Sequence, residues 1–229
     1  MGENIQNHGE ISLAHYGVLF LDELPEFNRS SLEVLRGPLE EGDITIGRAS
    51  QVLTFPCRFM LVASMNPCPC GFYGSEKECK CSETSIKKYL SKVSGPLLDR
   101  IDIQVEVNSV KYEDLSSYEI NESSETIRKR VNKARQIQFE RYKDLNIYSN
   151  SELTPKLIEE FCKLDLEGTK ILQASYNKLG MSARAYGRIL KVARTIADLN
   201  ESKNIEAKHL LEAIQYRSLD KKLNKMMGG

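Results

Sequence analysis

Apolar positions in this chain are spaced like strands in its first half and like helices in its second. Gly17-Val18-Leu19-Phe20-Leu21 runs continuously apolar into the acidic pair Asp22-Glu23, and Phe59-Met60-Leu61-Val62-Ala63-Ser64 is a second such run, broken by Asn66-Pro67. Runs of this kind predict strands of a parallel sheet buried on both faces, with ligands held at their carboxyl ends. Residues 1–16 are polar at first, then apolar at helical spacing (Ile11, Ala14, His15). Between the two runs, Pro25 stops the first strand. Ser30 or Ser31 is placed to cap a helix carrying Leu32, Leu35 and Leu39, which Gly42 ends. Residues 43–55 alternate apolar and polar on each side of a Gly-containing turn, predicting a β-hairpin with Arg48 near its tip. A short helix is expected near 85–92, and the strict alternation of Ile101–Val107 predicts a third strand.

Residues 108–125 are polar and rich in Ser, after which the spacing is helical throughout. Ile127, Val131, Ala134 and Ile137 fall on one helix face. Thr154-Pro155 reads as an N-cap followed by a first-turn proline, and Gly180 with Ser182 as a helix stop and a fresh cap. A helix over 183–199 is expected to bury Ala185, Ile189, Val192 and Ile196, and a last one to span about 206–216. These patterns divide the chain into an α/β core (1–110), a linker (111–125), an all-helical domain (126–217) and a flexible tail (218–229).

Charge and composition narrow the function. Of the 229 residues 28% are charged, yet the net charge is zero, which excludes a globally basic nucleic-acid coat but not a local basic patch. No apolar run approaches the length of a bilayer span and no signal peptide opens the chain, so a soluble cytoplasmic protein without membrane partners is expected. Six cysteines in that setting point to thiols or metal ligands rather than disulfides. Cys68-Pro69-Cys70 and Cys79-Lys80-Cys81 form two C-x-C pairs, which suits a tetrahedral structural Zn²⁺ site; free thiols or a redox-sensitive pair is the alternative. Cys57 and Cys162 stand alone and read as core residues, and His8, His15 and His209 have no ligand spacing.

An apolar strand ending in Asp-Glu suits a nucleotide-hydrolysing sheet, where Asp22 holds Mg²⁺ and Glu23 polarises the attacking water. The phosphate-binding pattern G-x-x-x-x-G-K-S/T is absent from these residues, and Gly168-Thr169-Lys170 has the wrong order. Each further candidate has a plainer reading beside it. Asn66 before Pro67 makes a turn, and Arg100 between two Asp residues makes a surface ion pair. The hairpin is an ordinary excursion, and Arg184, Arg188 and Lys191 form a solvated helix face.

The order of these elements is more specific than any one of them. Gly-Glu-Ile-Ser-Leu-Ala-His (9–15) and Gly17–Glu23 with Leu24-Pro25-Glu26-Phe27 come first, then Met65-Asn66-Pro67-Cys68-Pro69-Cys70-Gly71. They are followed by Ser94-Gly95-Pro96-Leu97-Leu98-Asp99-Arg100-Ile101-Asp102 and Ser182-Ala183-Arg184-Ala185-Tyr186-Gly187-Arg188. From about residue 8 to 217 the chain resembles the magnesium-chelatase-like AAA+ ATPases, and within them the ComM/YifB family of competence-related proteins.

The resemblance implies a partial AAA+ P-loop core, with parallel strands and a β-hairpin, followed by a helical lid. It implies ATP and Mg²⁺ as cofactors, with Asp22 and Glu23 as the Walker B pair and Asn66 as sensor 1. Arg100 becomes an arginine finger acting in a neighbouring subunit, and Arg184 becomes sensor 2. The hairpin is matched to one that points into a ring pore, where Arg48 would contact DNA. A homo-oligomeric ring, a hexamer by the family's habit, and branch-migration helicase activity are the corresponding expectations. Without the Walker A loop, this chain alone is expected neither to bind ATP tightly nor to hydrolyse it. A stand-alone zinc-containing regulatory module and a magnesium chelatase subunit are the alternatives.

Overall fold

The apolar run at 18–21 forms a strand, but not one buried on both faces. The computed structural model describes residues 9–48, 51–107 and 122–217, with Arg48 and Gln51 described in backbone only. The chain divides after Ile101 into two compact units, earlier than the boundary at 110 drawn from composition.

In the first unit a short helix, α1 (Glu10–Leu13), leads into β1 (Val18–Leu21), and a 3₁₀ turn over Leu24–Glu26 carries Pro25. The helix expected next is two, α2 (Arg29–Val34) and α3 (Arg36–Glu41), and its first cap position is Asn28 rather than either serine. Pro38 explains the break at Leu35: it has no N–H to return to the Val34 carbonyl four residues back. Gly42 ends α3 in the left-handed region (φ 78), donating to the Pro38 carbonyl at 2.9 Å. The hairpin pairs β2 (Asp43–Arg48) with β3 (Gln51–Pro56) antiparallel, Arg48 opposite Gln51. Gly47 therefore lies within β2, not in the turn.

β4 (Met60–Ala63) then pairs parallel with β1, Val18 opposite Met60 and Leu21 opposite Ala63. Leu19 and Leu21 point into a core built on Leu24, Leu32, Leu35, Val93 and Leu97. On the other face Val18, Phe20, Met60 and Val62 are 58, 59, 63 and 40% exposed. The expectation of two covered faces is corrected. Among the described strands β1 and β4 pair only with each other, and the described core lies on one side of them. A loop from Cys68 to Cys81 leads to α4 (Glu83–Leu90), capped by Ser82, and α5 (Gly95–Leu98), capped by Ser94.

The third strand is also corrected. Residues 103–107 take no ladder partner among the described residues, and Ile103, Val105 and Val107 are exposed. Alternation satisfied the period, but a strand also needs a neighbour for its backbone. Here the Gln104 N–H donates to the Tyr216 carbonyl at 2.9 Å instead.

The second unit is helical. Ser123 caps α6 (Ser124–Tyr142), so the helix begins just before the expected domain start; residues 111–121 of the expected linker and the tail from 218 lie outside the described residues. Thr154 and Pro155 open α7 (Pro155–Phe161) as expected. Asp165, accepting from the Gly168 N–H at 2.7 Å, starts a separate helix, α8 (Leu166–Leu179), which Gly180 ends at φ 61. Ser182 caps α9 (Ala183–Leu199), and α10 (Ala207–Gln215) follows. α9 is central: Ile189, Ala193 and Ala197 are buried against Tyr142, Leu172 and Leu210. A polar network crosses this core. Asp198 is fully buried and accepts from Arg141, Arg194 and the Asn150 side chain, the last at 2.9 Å, while Tyr142 donates to Asn150 at 2.6 Å. Such a charge is tolerated because each oxygen is paired.

Candidate functional site

The acidic pair sits where β1 runs out. Glu23 takes left-handed backbone (φ 52), a conformation a side chain adopts only when its surroundings hold it. They do: the Leu24 N–H donates to the Ser64 carbonyl at 2.8 Å, and the Ser64 N–H to the Leu21 carbonyl at 3.0 Å. The Glu23 N–H is shared between Asp22 Oδ1 at 3.1 Å and Ser64 Oγ at 3.3 Å, and the Ser64 hydroxyl donates to Asp22 Oδ1. Both carboxylates remain exposed at the strand end. Ser64 thus orients one carboxylate and anchors the turn that presents the other. In the sequence it merely ends an apolar run; its place beside Asp22 comes from the β1–β4 register, which spacing alone leaves open.

Asn66 follows Ser64 by two residues and is exposed on the same strand-end loop. Arg100 is placed differently from a projecting side chain. It is 8% exposed, donating through Nε to the Arg36 carbonyl at 3.1 Å and through Nη1 to the Pro96 carbonyl at 2.7 Å, and pairing through Nη2 with Glu40. In this arrangement it ties α3 to α5, and reaching another subunit would require releasing those partners.

On α9, Arg184 is exposed in the first turn, whereas Arg188 pairs with Asp102 at 2.6 Å and Lys191 donates to the Ser151 carbonyl at 2.8 Å. The expected solvated stripe is therefore partly a set of tethers. Arg48 ends β2, and its side chain lies outside the described residues.

The four loop cysteines come together. Cys68 Sγ lies 3.4 Å from Cys70 and 3.7 Å from Cys79, and Cys70 lies 3.6 Å from Cys79; Cys81 joins them, all four sulfurs falling within 4.8 Å. Zinc–thiolate bonds of about 2.3 Å in a tetrahedron place sulfurs about 3.8 Å apart, so the set is near the right size for Zn²⁺. The Tyr73 N–H donates to Cys68 Sγ at 3.4 Å, the kind of outer contact that steadies a thiolate ligand. The backbone at Phe72 pulls the Cys70 thiol down to about 6, while desolvation pushes Cys81 up to about 12. Ile86, Tyr89 and Leu90 of α4 wall the cluster.

Cys57 and Cys162 are buried apart from it, as core residues. His15 accepts from the Arg58 N–H at 3.1 Å, and buried His209 accepts from the Glu206 N–H at 3.1 Å inside a capping box; His8 lies outside the described residues.

A parallel strand pair delivering two carboxylates at its end, a hairpin beside it and a helical unit after it define part of an AAA+ ATPase fold. The magnesium chelatase subunit ChlI family model matches residues 1–115, and the model of that subunit's C-terminal region matches residues 121–217. This chain belongs to the magnesium chelatase ChlI family. It is 47% identical to "Competence protein ComM" of Haemophilus influenzae over 226 residues, 98% of this chain and 43% of that protein. It is 46% identical to "Uncharacterized protein YifB" of Escherichia coli over 224 residues, 97% of this chain and 43% of that one. At 36% identity over 198 residues, 86% of this chain and 39% of the relative, it also resembles a Mycobacterium tuberculosis protein, "Uncharacterized protein Rv2897c". The chain therefore spans less than half the length of these relatives.

Proposed function

We propose that this chain supplies the metal-and-water half of the ATP-hydrolysing centre of a cytoplasmic, ring-forming ATPase that acts on DNA. The observation that carries the reading is the convergence of Asp22, Glu23 and Ser64 at the carboxyl ends of β1 and β4, with Asn66 on the same loop. A carboxylate and a hydroxyl are hard oxygen donors of the kind Mg²⁺ prefers, so the residues present fit the ion. Asp22 would hold it, oriented by Ser64. Bound there with ATP, Mg²⁺ supplies neutralisation of the phosphate oxygens. Glu23, exposed at the strand end, would accept a proton from the attacking water, and Asn66, exposed on the same loop, would hold that water in line.

These residues contain no phosphate-binding loop, so the β- and γ-phosphates are contacted from sequence other than the 229 residues here. The bare sheet face at Phe20 and Met60 supports completion by further protein rather than a stand-alone regulatory module. Arg184, exposed at the start of α9, is the nucleotide-sensing candidate. Arg100 is a candidate finger only after it leaves Glu40. DNA as the partner is supported by the hairpin, which carries Arg48 at the end of β2. Zinc in the cysteine cluster is structural: four thiolates leave no open coordination position.

ATP turnover tests the reading, measured with and without DNA on this chain and on the chain completed with the remaining part of its Haemophilus influenzae relative. The completed protein is expected to hydrolyse ATP faster with DNA, and this chain alone not at all. Micromolar ATP affinity of the isolated chain would refute the divided site, and DNA-independent turnover would refute the DNA reading. Metal analysis of the purified chain decides the zinc question separately.

A further inference from the structure

The cysteine cluster and the loop carrying Asn66 are built into each other. Cys68, fully buried, follows Asn66 by two residues, and Met65 packs against both the sheet core and the cysteine-lined core. Gly71 turns the loop back through the left-handed region (φ 80) beside Asn66, where a methyl group would sit in ordinary van der Waals contact with its Oδ1, at 3.9 Å. The buried ring of Tyr89 packs with Cys68 in the wall of the cysteine cluster. Residues 68–81 contribute no helix or strand of their own.

We propose that the metal-held cysteine loop, acting through Cys68 and Gly71, is the positioning device for Asn66. Cys68, Cys70, Cys79 and Cys81 close around one Zn²⁺ ion and fix the loop. The loop then fixes the direction of the Asn66 amide, while Asp22 and Glu23 are held independently by Ser64. Metal loss releases Asn66 and leaves the carboxylates in place. This rests on reading the four thiols as a zinc site and Asn66 as the water-orienting residue. The cysteines are positioning residues, since none is required to touch nucleotide or water.

The test uses the whole 229-residue chain, with zinc content measured first. Amide hydrogen exchange and the side-chain amide resonance of Asn66 are then followed before and after a chelator removes zinc under reducing conditions. One zinc per chain is expected, and its removal should speed exchange across Met65–Gly71 about tenfold or more and shift the Asn66 resonance. Leu19 and Leu61 in the sheet and Leu210 in the helical unit should keep their protection, which controls for unfolding. Zinc that binds and leaves without changing Asn66 overturns the coupling and spares the zinc site. A chain that binds no zinc overturns both.

Discussion

The helical unit encloses its own core, whereas the α/β unit leaves half of its sheet bare. Leu210, Ala193 and Ala197 in the first are fully buried, while Phe20 and Met60, equally apolar, stand mostly in solvent. The difference follows from the elements. An amphipathic helix needs one neighbour along one stripe, and α9 has α6, α7 and α10 around it. A parallel strand needs cover on two faces and pairing on two edges, and two strands with one layer of helices provide only part of that. Most candidate site residues, Asp22, Glu23, Ser64 and Asn66 among them, sit on the less complete unit, with Arg184 on the helical one. That teaches where to look for function here: at strand ends whose surroundings are unfinished, not in the best-packed core.

Truncations on the two sides should separate the units most. Leu210→Ala is expected to cost the helical unit about 2–5 kcal/mol in denaturant unfolding, as buried leucine truncations do. Phe20→Ala should change stability by no more than ~0.5 kcal/mol, as exposed substitutions do, and lower any self-association. Equal costs would mean that Phe20 is covered and the contrast is wrong.

Arg100→Ala asks whether the α/β unit is held by internal tethers. The Arg36 and Pro96 carbonyls and Glu40 would lose their partner, and a loss of about 1–3 kcal/mol is expected, read as faster exchange in β1. Unchanged protection with lost activity in the completed protein would favour a finger over a tether.

The smallest effect concerns pH. Burial holds the His209 pKa below its ordinary value; Nδ1 already accepts from Glu206, and Nε2 finds no partner. The unfolded chain takes up the proton first, so its part of the stability is present above about pH 6.5 and is lost as pH falls below that. Thermal unfolding of the helical unit should therefore weaken on acidification through this range, and His209→Asn, which keeps the cap acceptor, should flatten the slope. An identical pH profile in the variant would exclude His209 as the cause.

Much of this was legible in the chain, and the reasons for the gaps are physical. Caps and stops are local, so Thr154-Pro155, Gly180, Ser182 and Gly42 marked helix ends where they occur. The cysteine spacing announced a cluster that the structure does assemble. Register and partner number are not local. Spacing alone did not place Ser64 beside Asp22, bury Arg100 against Glu40, or leave Val107 without a ladder partner among the described residues. Apolar content predicted a sheet covered twice because it measures what a strand would bury, not whether a neighbour is present to bury it.

The account stands most directly on Glu23. ATP turnover should be measured in the completed protein with and without Glu23→Gln, alongside the 229-residue chain alone. Turnover by the completed protein that falls ~10²–10⁴-fold in the variant, with unchanged unfolding and none from the chain alone, is the predicted result. Turnover indifferent to Glu23, or supported by these residues alone, would contradict it.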